Sequence, residues 1–286
     1  MNVKVLCIDE GHTLSGSDYG AIGNGIKESE ETRVLGRLVE KYLKQLDIKV
    51  DKCTIDYANS VADSINKRLA LVNSKDYDLL LIIHFNSFPD TSVNGTEVFI
   101  LPFKGNYYQS KNGYNINYDF ADRICKAVVN AGGFYNRGVK FREDLGMLIY
   151  PKCYTVYLET CFISNKSDAD KYKANKDKIA RAIAEAITGK KLNSNNNMRE
   201  EKKVKGIVIY SNDIDRRAAE YLADYLKLPT ISSSTNFDYT TVEQGGIYAV
   251  GGKKGTYTSY LLDKNFIAGS DRYETIKKVL KFIGKL

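Results

Sequence analysis

Short apolar runs of strand length alternate with long amphipathic helical patterns through the first two thirds of this 286-residue chain. Val3–Ile8, Leu79–His84, Thr96–Leu101 and Thr155–Thr160 read as buried strands. Between and after them, Glu28–Leu46, Val61–Asn73, Asp119–Ala131 and Asp168–Ile187 carry apolar residues at helical spacing. Parallel strands need long crossovers, and both faces of their sheet need cover. The alternation therefore predicts an α/β fold with a mostly parallel sheet flanked by helices. It stops at Thr188–Lys203, a polar, asparagine-rich stretch that reads as a solvated linker. A smaller alternation follows: strands at Gly206–Tyr210, Ile247–Val250 and Asn265–Ala268, helices at Asp215–Leu226 and Tyr273–Ile283. The expected organisation is a larger domain over 1–188, a linker over 189–203 and a second, smaller α/β domain over 204–286.

No apolar run is long enough to span a membrane. The N-terminus enters the first strand without the apolar stretch of a secretory signal, so the expected location is the cytoplasm, at least at first. Cys7, Cys53, Cys125, Cys153 and Cys161 are odd in number and scattered, which suits reduced thiols rather than a disulfide framework. A formal charge of +7 favours polyanions modestly. Without a Lys/Arg block interleaved with aromatics, the sequence argues against nucleic acid. Anionic lipid surfaces and anionic wall polymers stay open.

The chain has two histidines, and both fall beside strand ends. His12 follows the first strand, in Ile8-Asp-Glu-Gly-His12, and His84 ends the second, in Leu79-Leu-Leu-Ile-Ile-His84. Ligand groups collect at the carboxyl ends of parallel strands, although two unrelated histidines would satisfy the same pattern. Glu28 opens a helix whose apolar stripe includes Leu35, Leu38, Val39, Tyr42, Leu43 and Leu46. At 3.6 residues per turn it lies roughly 20° from Leu35, with Glu31 about 40° to the other side and Glu30 turned toward solvent. A carboxylate on a buried stripe is costly without a positive partner, and a metal ion would be one. Attraction of an acidic residue to a helix N-terminus is the alternative. His12, Glu28 and His84 together make a three-ligand set of the catalytic zinc type, which leaves a position for water. Such a site needs a proton shuttle. Glu159, at the end of Thr155-Val-Tyr-Leu-Glu159-Thr160, is the candidate, unless it is simply paired with a lysine.

These residues in order, Glu10-Gly-His12, Glu28, Ile83-His84-Phe-Asn86 and Leu158-Glu159-Thr-Cys-Phe-Ile-Ser-Asn165, resemble the zinc N-acetylmuramoyl-L-alanine amidases, most nearly those of clostridial phage endolysins. The resemblance runs from residue 1 to about 188 and includes Arg68, Asn73 and Gly95-Thr-Glu97-Val-Phe. Thr13 stands where the family often has a second glycine. The resemblance implies Zn2+ held by His12, Glu28 and His84, with Glu159 as general base and acid. Asn86 and Arg68 would orient the site or meet substrate. The bond cut would join the muramic acid lactyl group to the L-alanine of the stem peptide.

In the second domain, Ile247-Tyr-Ala-Val-Gly-Gly252 and Ile267-Ala-Gly-Ser-Asp-Arg272-Tyr-Glu-Thr275 are similar to wall-binding modules of clostridial surface proteins. This implies that Arg272 and Asp271 contact a secondary polymer of a Gram-positive, clostridial wall. Asp271-Arg272-Tyr273 could equally form a helix cap with an internal ion pair. From Met198 onward there are 15 Lys and Arg against 11 Asp and Glu, too small an excess to define the ligand. The whole-chain expectation is an endolysin, retained in the host cytoplasm until a membrane pore releases it to the wall. A secreted-type bacterial autolysin, a zinc peptidase cutting within wall peptides, and a binding protein with a vestigial metal site are the alternatives. Met198, just after the asparagine run, could serve as a second start, giving a free binding domain able to pair with the full chain as a homo-oligomer.

Overall fold

Every residue of Leu79–Ile83 is apolar, and all five are fully buried. A strand so uniformly apolar needs cover on both faces, and it lies inside the larger sheet. The computed structural model describes residues 2–102, 116–192, 203–235, 237, 239–258 and 260–286. Met198 and most of the 189–203 linker lie outside the described residues. The chain divides into two compact units, Met1–Asn196 and Asn197–Leu286.

In order, the first unit contains β1 (Val5–Glu10), β2 (Ser15–Gly16), β3 (Ile22–Gly23), β4 (Ile26–Lys27), α1 (Glu28–Gln45), β5 (Lys49–Lys52), β6 (Tyr57–Ala58), α2 (Val61–Val72), β7 (Leu79–Asn86), β8 (Thr96–Ile100), α3 (Ile116–Gly132), β9 (Asn136–Phe141), α4 (Gly146–Ile149), β10 (Thr155–Phe162) and α5 (Lys166–Thr188). Six strands form a sheet in the order β5-β1-β7-β10-β8-β9. All neighbours are parallel except β10 and β8, which run antiparallel. The expected α/β architecture with a mostly parallel sheet is the one observed.

One face of the sheet carries the main core, in which Leu6, Ile8, Ile83 and Leu158 meet Leu35 and Leu43 of α1, Ile124 of α3 and Ile183 of α5. The opposite face is covered in part by α2 and α4, through Cys7, Leu80, Ile82, Val72 and Met147. Cys7, Cys53, Cys125 and Cys161 are buried, and all five cysteines are free thiols.

β1 runs on to Glu10, beyond the expected end at Ile8. Asp9 and Glu10 can continue the strand into the interior because each is paired. The Arg68 guanidinium of α2 bonds the Asp9 carboxylate and donates to Glu10 O at 3.1 Å, while Lys52 Nζ meets Glu10 Oε1 at 2.8 Å. Two strands absent from the expected pattern, β5 and β9, are the sheet's edges.

The second unit has β11 (Ile207–Tyr210), α6 (Asp213–Leu226), β12 (Thr230–Ser232), β13 (Ile247–Val250), β14 (Phe266–Ile267) and α7 (Arg272–Phe282). Its four strands are all parallel, in the order β12-β11-β13-β14. Ala219, Leu222, Val279 and Ile283 from α6 and from the end of α7 pack with Val208 and Val250. Tyr257 and Leu261 pack with Ile209 and Ala249 in a separate cluster. Among the described residues, no helix is long and apolar enough to cross a membrane.

Arg68 and Asp9 are both buried, so removing one strands the charge of the other. Arg68→Ala should cost about 3–5 kcal/mol of stability by urea denaturation. A double Asp9→Asn, Arg68→Leu variant should lose less than the two single changes summed; an additive loss would show that the pair is not coupled.

Candidate metal centre

His12 leaves the carboxyl end of β1 in a left-handed backbone conformation, φ 64°. Non-glycine residues adopt this region uncommonly, and the surroundings must hold it. Here Arg33 Nη2 donates to His12 O at 3.1 Å, and Arg68 Nη2 donates to the same carbonyl. The bend turns the imidazole toward β7. Gly11 makes room: a Cβ there would stand 2.2 Å from His84 Nε2, so no other residue fits without moving the ring.

Glu28 is the first residue of α1 and is only 3% exposed. Its Oε1 accepts from Phe85 N–H at 3.0 Å, and its Oε2 accepts from Ala21 N–H at 2.8 Å. His84 Nδ1 lies 2.9 Å from Oε1, and His12 Nε2 lies 3.3 Å from Oε2. Potential ligand atoms of His12, Glu28 and His84 all fall within 4.8 Å of one another, and this is the cluster of that kind among the described residues. The edge-on packing of the two imidazoles, centroids 4.7 Å apart, reflects the same convergence. Asp18 Oδ1 holds His12 Nδ1 at 2.6 Å, which turns Nε2 toward the cluster, and Tyr157 stacks on the His84 ring at 4.6 Å.

The electrostatics are those of a site built to hold positive charge. Burial would raise the Glu28 pKa, yet the two imidazoles outweigh it and hold the carboxyl well below the usual range. Burial lowers the His12 pKa, but bonds to Asp18 and Glu28 prevail and raise it to about 9. Burial prevails at His84 and lowers its pKa, against the pull of Glu28. Two imidazoles and one carboxylate, converging from three elements, are a donor set that fits zinc with a position left for water.

Glu159 stands in register with His84 on the neighbouring strand, just before a bulge in β10. Its Oε2 is buried without a hydrogen-bond partner among the described residues. Burial, together with the Glu28 and Glu97 carboxylates, pushes its pKa well above the ordinary value. Among the described residues no lysine pairs with it, and an orphaned, easily protonated carboxyl beside a convergent ligand set is what proton transfer requires.

The structure places the other sequence candidates less uniformly. Asn86 is at the end of β7, where its Nδ2 donates to Glu97 Oε1 at 2.8 Å. Arg68 is buried under the His12 loop, holding backbone carbonyls and Asp9, which positions that loop. Glu30 is half-buried beside Lys27 Nζ at 3.6 Å instead of facing open water, because the β4 residue folds back over the helix start. Asp271 caps α7, accepting from Tyr273 N–H and Glu274 N–H, each at 2.8 Å. Arg272 lies over the Tyr273 ring at 4.7 Å; of the alternative of a helix cap with an internal ion pair, the cap is present and the stacking stands where the ion pair would. Both still line a cleft of about 780 Å³ in the second unit, with Asn212, Asp215, Lys253 and Ser270.

Asp18, Arg33 and Tyr157 are site residues that sequence reasoning missed, and Glu97 entered it only as part of a strand motif, with no role at the site. Asp18 and Arg33 sit in polar stretches where nothing marks them out. Glu97 was more accessible, as a lone carboxylate inside the buried run Thr96-Glu-Val-Phe-Ile100.

Comparison with known proteins agrees with this geometry. The profile of the family described as N-acetylmuramoyl-L-alanine amidase matches residues 6–189. Among curated proteins, N-acetylmuramoyl-L-alanine amidase LytC of Bacillus subtilis (strain 168) is 32% identical over 182 residues, which are 63% of this chain but 34% of LytC. The chain thus spans about a third of that relative's length. Among solved structures, the catalytic domain of the CD27L endolysin targeting Clostridia difficile is 28% identical with a TM-score of 0.56, covering 66% of this chain and 99% of that one. The catalytic domain of CwlV, an N-acetylmuramoyl-L-alanine amidase from Bacillus (Paenibacillus) polymyxa var. colistinus, shares the fold at 24% identity and a TM-score of 0.52, over 65% of this chain and 97% of that one. Over residues 6–189, the chain belongs to the N-acetylmuramoyl-L-alanine amidase family.

Proposed function

We propose that this chain is a zinc-dependent peptidoglycan hydrolase that cuts the amide between N-acetylmuramic acid and L-alanine, acting as a phage endolysin. The observation that carries the catalytic reading is the unpartnered Oε2 of Glu159 beside the His12–Glu28–His84 cluster. His12, Glu28 and His84 would hold the ion. Zinc bound there supplies Lewis-acid polarisation of the carbonyl and a water of lowered pKa. Glu159 takes the proton of the attacking water and returns it to the L-alanine nitrogen as the C–N bond breaks. The products are the lactyl carboxylate and a free amine. Asp18 keeps His12 in one tautomer, and the Tyr157 stack fixes the plane of His84.

Likeness to the CD27L endolysin domain supports the phage role. Likeness to LytC gives the bacterial autolysin reading its support. For the second unit we propose retention on a secondary polymer of a Gram-positive, clostridial wall. The cleft lined by Lys253 and Arg272 is the proposed contact, with Asp271 serving the fold of α7.

Digestion of clostridial walls should release new N-terminal L-alanine; cleavage only between other residues would favour a peptidase. Glu159→Gln should lower lysis by about 10²–10⁴-fold with zinc content unchanged, by metal analysis of the purified protein. Lysis that survives the substitution would remove Glu159 from the chemistry. Asp18→Ala should weaken zinc binding by about 10–100-fold in chelator competition, since the group that orients His12 is lost.

A further inference from the structure

Next to Glu159 the sheet carries two cations that the hydrolysis proposed above does not use. Glu97 faces Glu159 across the antiparallel β10–β8 pair, and its side chain is 6% exposed. It gathers two cations: Arg137 Nε at 2.7 Å from Oε2, and Lys140 Nζ on the same oxygen. One carboxylate requires one positive charge, so the cluster carries a net positive charge at the edge of the site.

Arg137 has a structural explanation. Its Nη1 donates to Asn94 O at 3.4 Å, and its guanidinium lies over the Phe162 ring at 5.0 Å. Lys140 does not share it. Its side chain is 42% exposed, and its ammonium has three donors with which to meet a further anion besides Glu97. A half-exposed pair of this kind contributes little to folding, and Arg137 already neutralises Glu97.

The reach suits the substrate proposed above. Facing side chains of an antiparallel pair stand about 5 Å apart at Cβ, so the cations bound to Glu97 lie one carboxylate beyond Glu159. In a stem peptide, the residue after L-alanine carries a carboxyl group, either free or amidated. Two residues of extended chain separate it from the scissile amide by roughly 7 Å.

We propose that Lys140, backed by Glu97 and Arg137, is a specificity residue that binds the free carboxylate of the second stem-peptide residue and thereby disfavours the amidated form. A charge-assisted bond to a carboxylate is stronger than one to a neutral amide. The inference rests on the amidase reading.

The test uses the purified full chain and two synthetic muramoyl peptides that differ only in a carboxylate or carboxamide at the second residue. The wild type should prefer the carboxylate by about 10–100-fold in kcat/KM, chiefly through KM. That preference should shrink as ionic strength rises. Lys140→Met should bring the ratio toward one, and Lys140→Arg should restore most of it. A wild-type ratio near one overturns the proposal. So does an equal loss on both peptides in Lys140→Met, which would mark a structural role. If the wild type frees L-alanine N-termini from neither peptide, the amidase reading falls, and this proposal with it.

Discussion

Glu28 is where the larger unit's packing and its site meet. Burying a carboxylate at a helix start requires compensation from several directions, and each compensating group belongs to a different element. Ala21 N–H comes from the loop before β3, Phe85 N–H from β7, and the imidazoles from the end of β1 and from β7. Satisfying one anion therefore fixes the start of α1, the loop after β1 and the end of β7 relative to one another. The ligand geometry follows from the packing of α1 on the sheet, and a residue that weakens that packing loosens the ligands as well.

Around this anion the basic residues divide the work by depth. Arg33 and Arg68 are buried, and both donate to the carbonyl of His12, which holds the left-handed turn without touching its imidazole. Arg33 also pairs with Asp56 at 2.8 Å, as Arg68 pairs with Asp9, so neither leaves an unpaired charge in the interior. Glu159, by contrast, has no ion pair among the described residues, and burial first, then the Glu28 and Glu97 carboxylates, favour its protonated form. Structural carboxylates here are paired, and the one proposed for chemistry is not.

What could be read from the sequence follows from this division. Glu28, His84 and Glu159 were legible because each is a polar residue interrupting an apolar pattern, at a strand end or on a helix stripe, and His12 because it is one of two histidines and follows a strand directly. Their supports were not. Asp18 and Arg33 lie among residues as polar as themselves, and only the folded chain reveals which are buried. The edge strands Lys49–Lys52 and Asn136–Phe141 were missed for a related reason: one neighbour and partial exposure leave them without an apolar signature. β1 was ended early because Asp9 and Glu10 look like surface residues until Arg68 and Lys52 are brought to them. In the second unit, the helix-cap alternative for Asp271 is legible in the sequence, and its carboxylate does accept from Tyr273 N–H and Glu274 N–H.

The sheet's one change of direction explains why the site is asymmetric. Along β1, β7 and β10 the same edge presents carboxyl ends, which deliver His12, His84 and Glu159. A wholly parallel sheet would go on in this way. Because β8 runs antiparallel to β10, and β9 parallel to β8, that edge next receives the starts of two strands. Glu97 comes from the first residues of β8, and Arg137 from the first residues of β9. Lys140 lies farther along β9, beside Phe99, and reaches back to Glu97 along its own length. The two imidazoles and Glu28 thus lie on one side of Glu159, and Glu97 with its two cations on the other. On the readings proposed above, a substrate crossing the edge would meet the reacting groups on one side and a test of charge on the other.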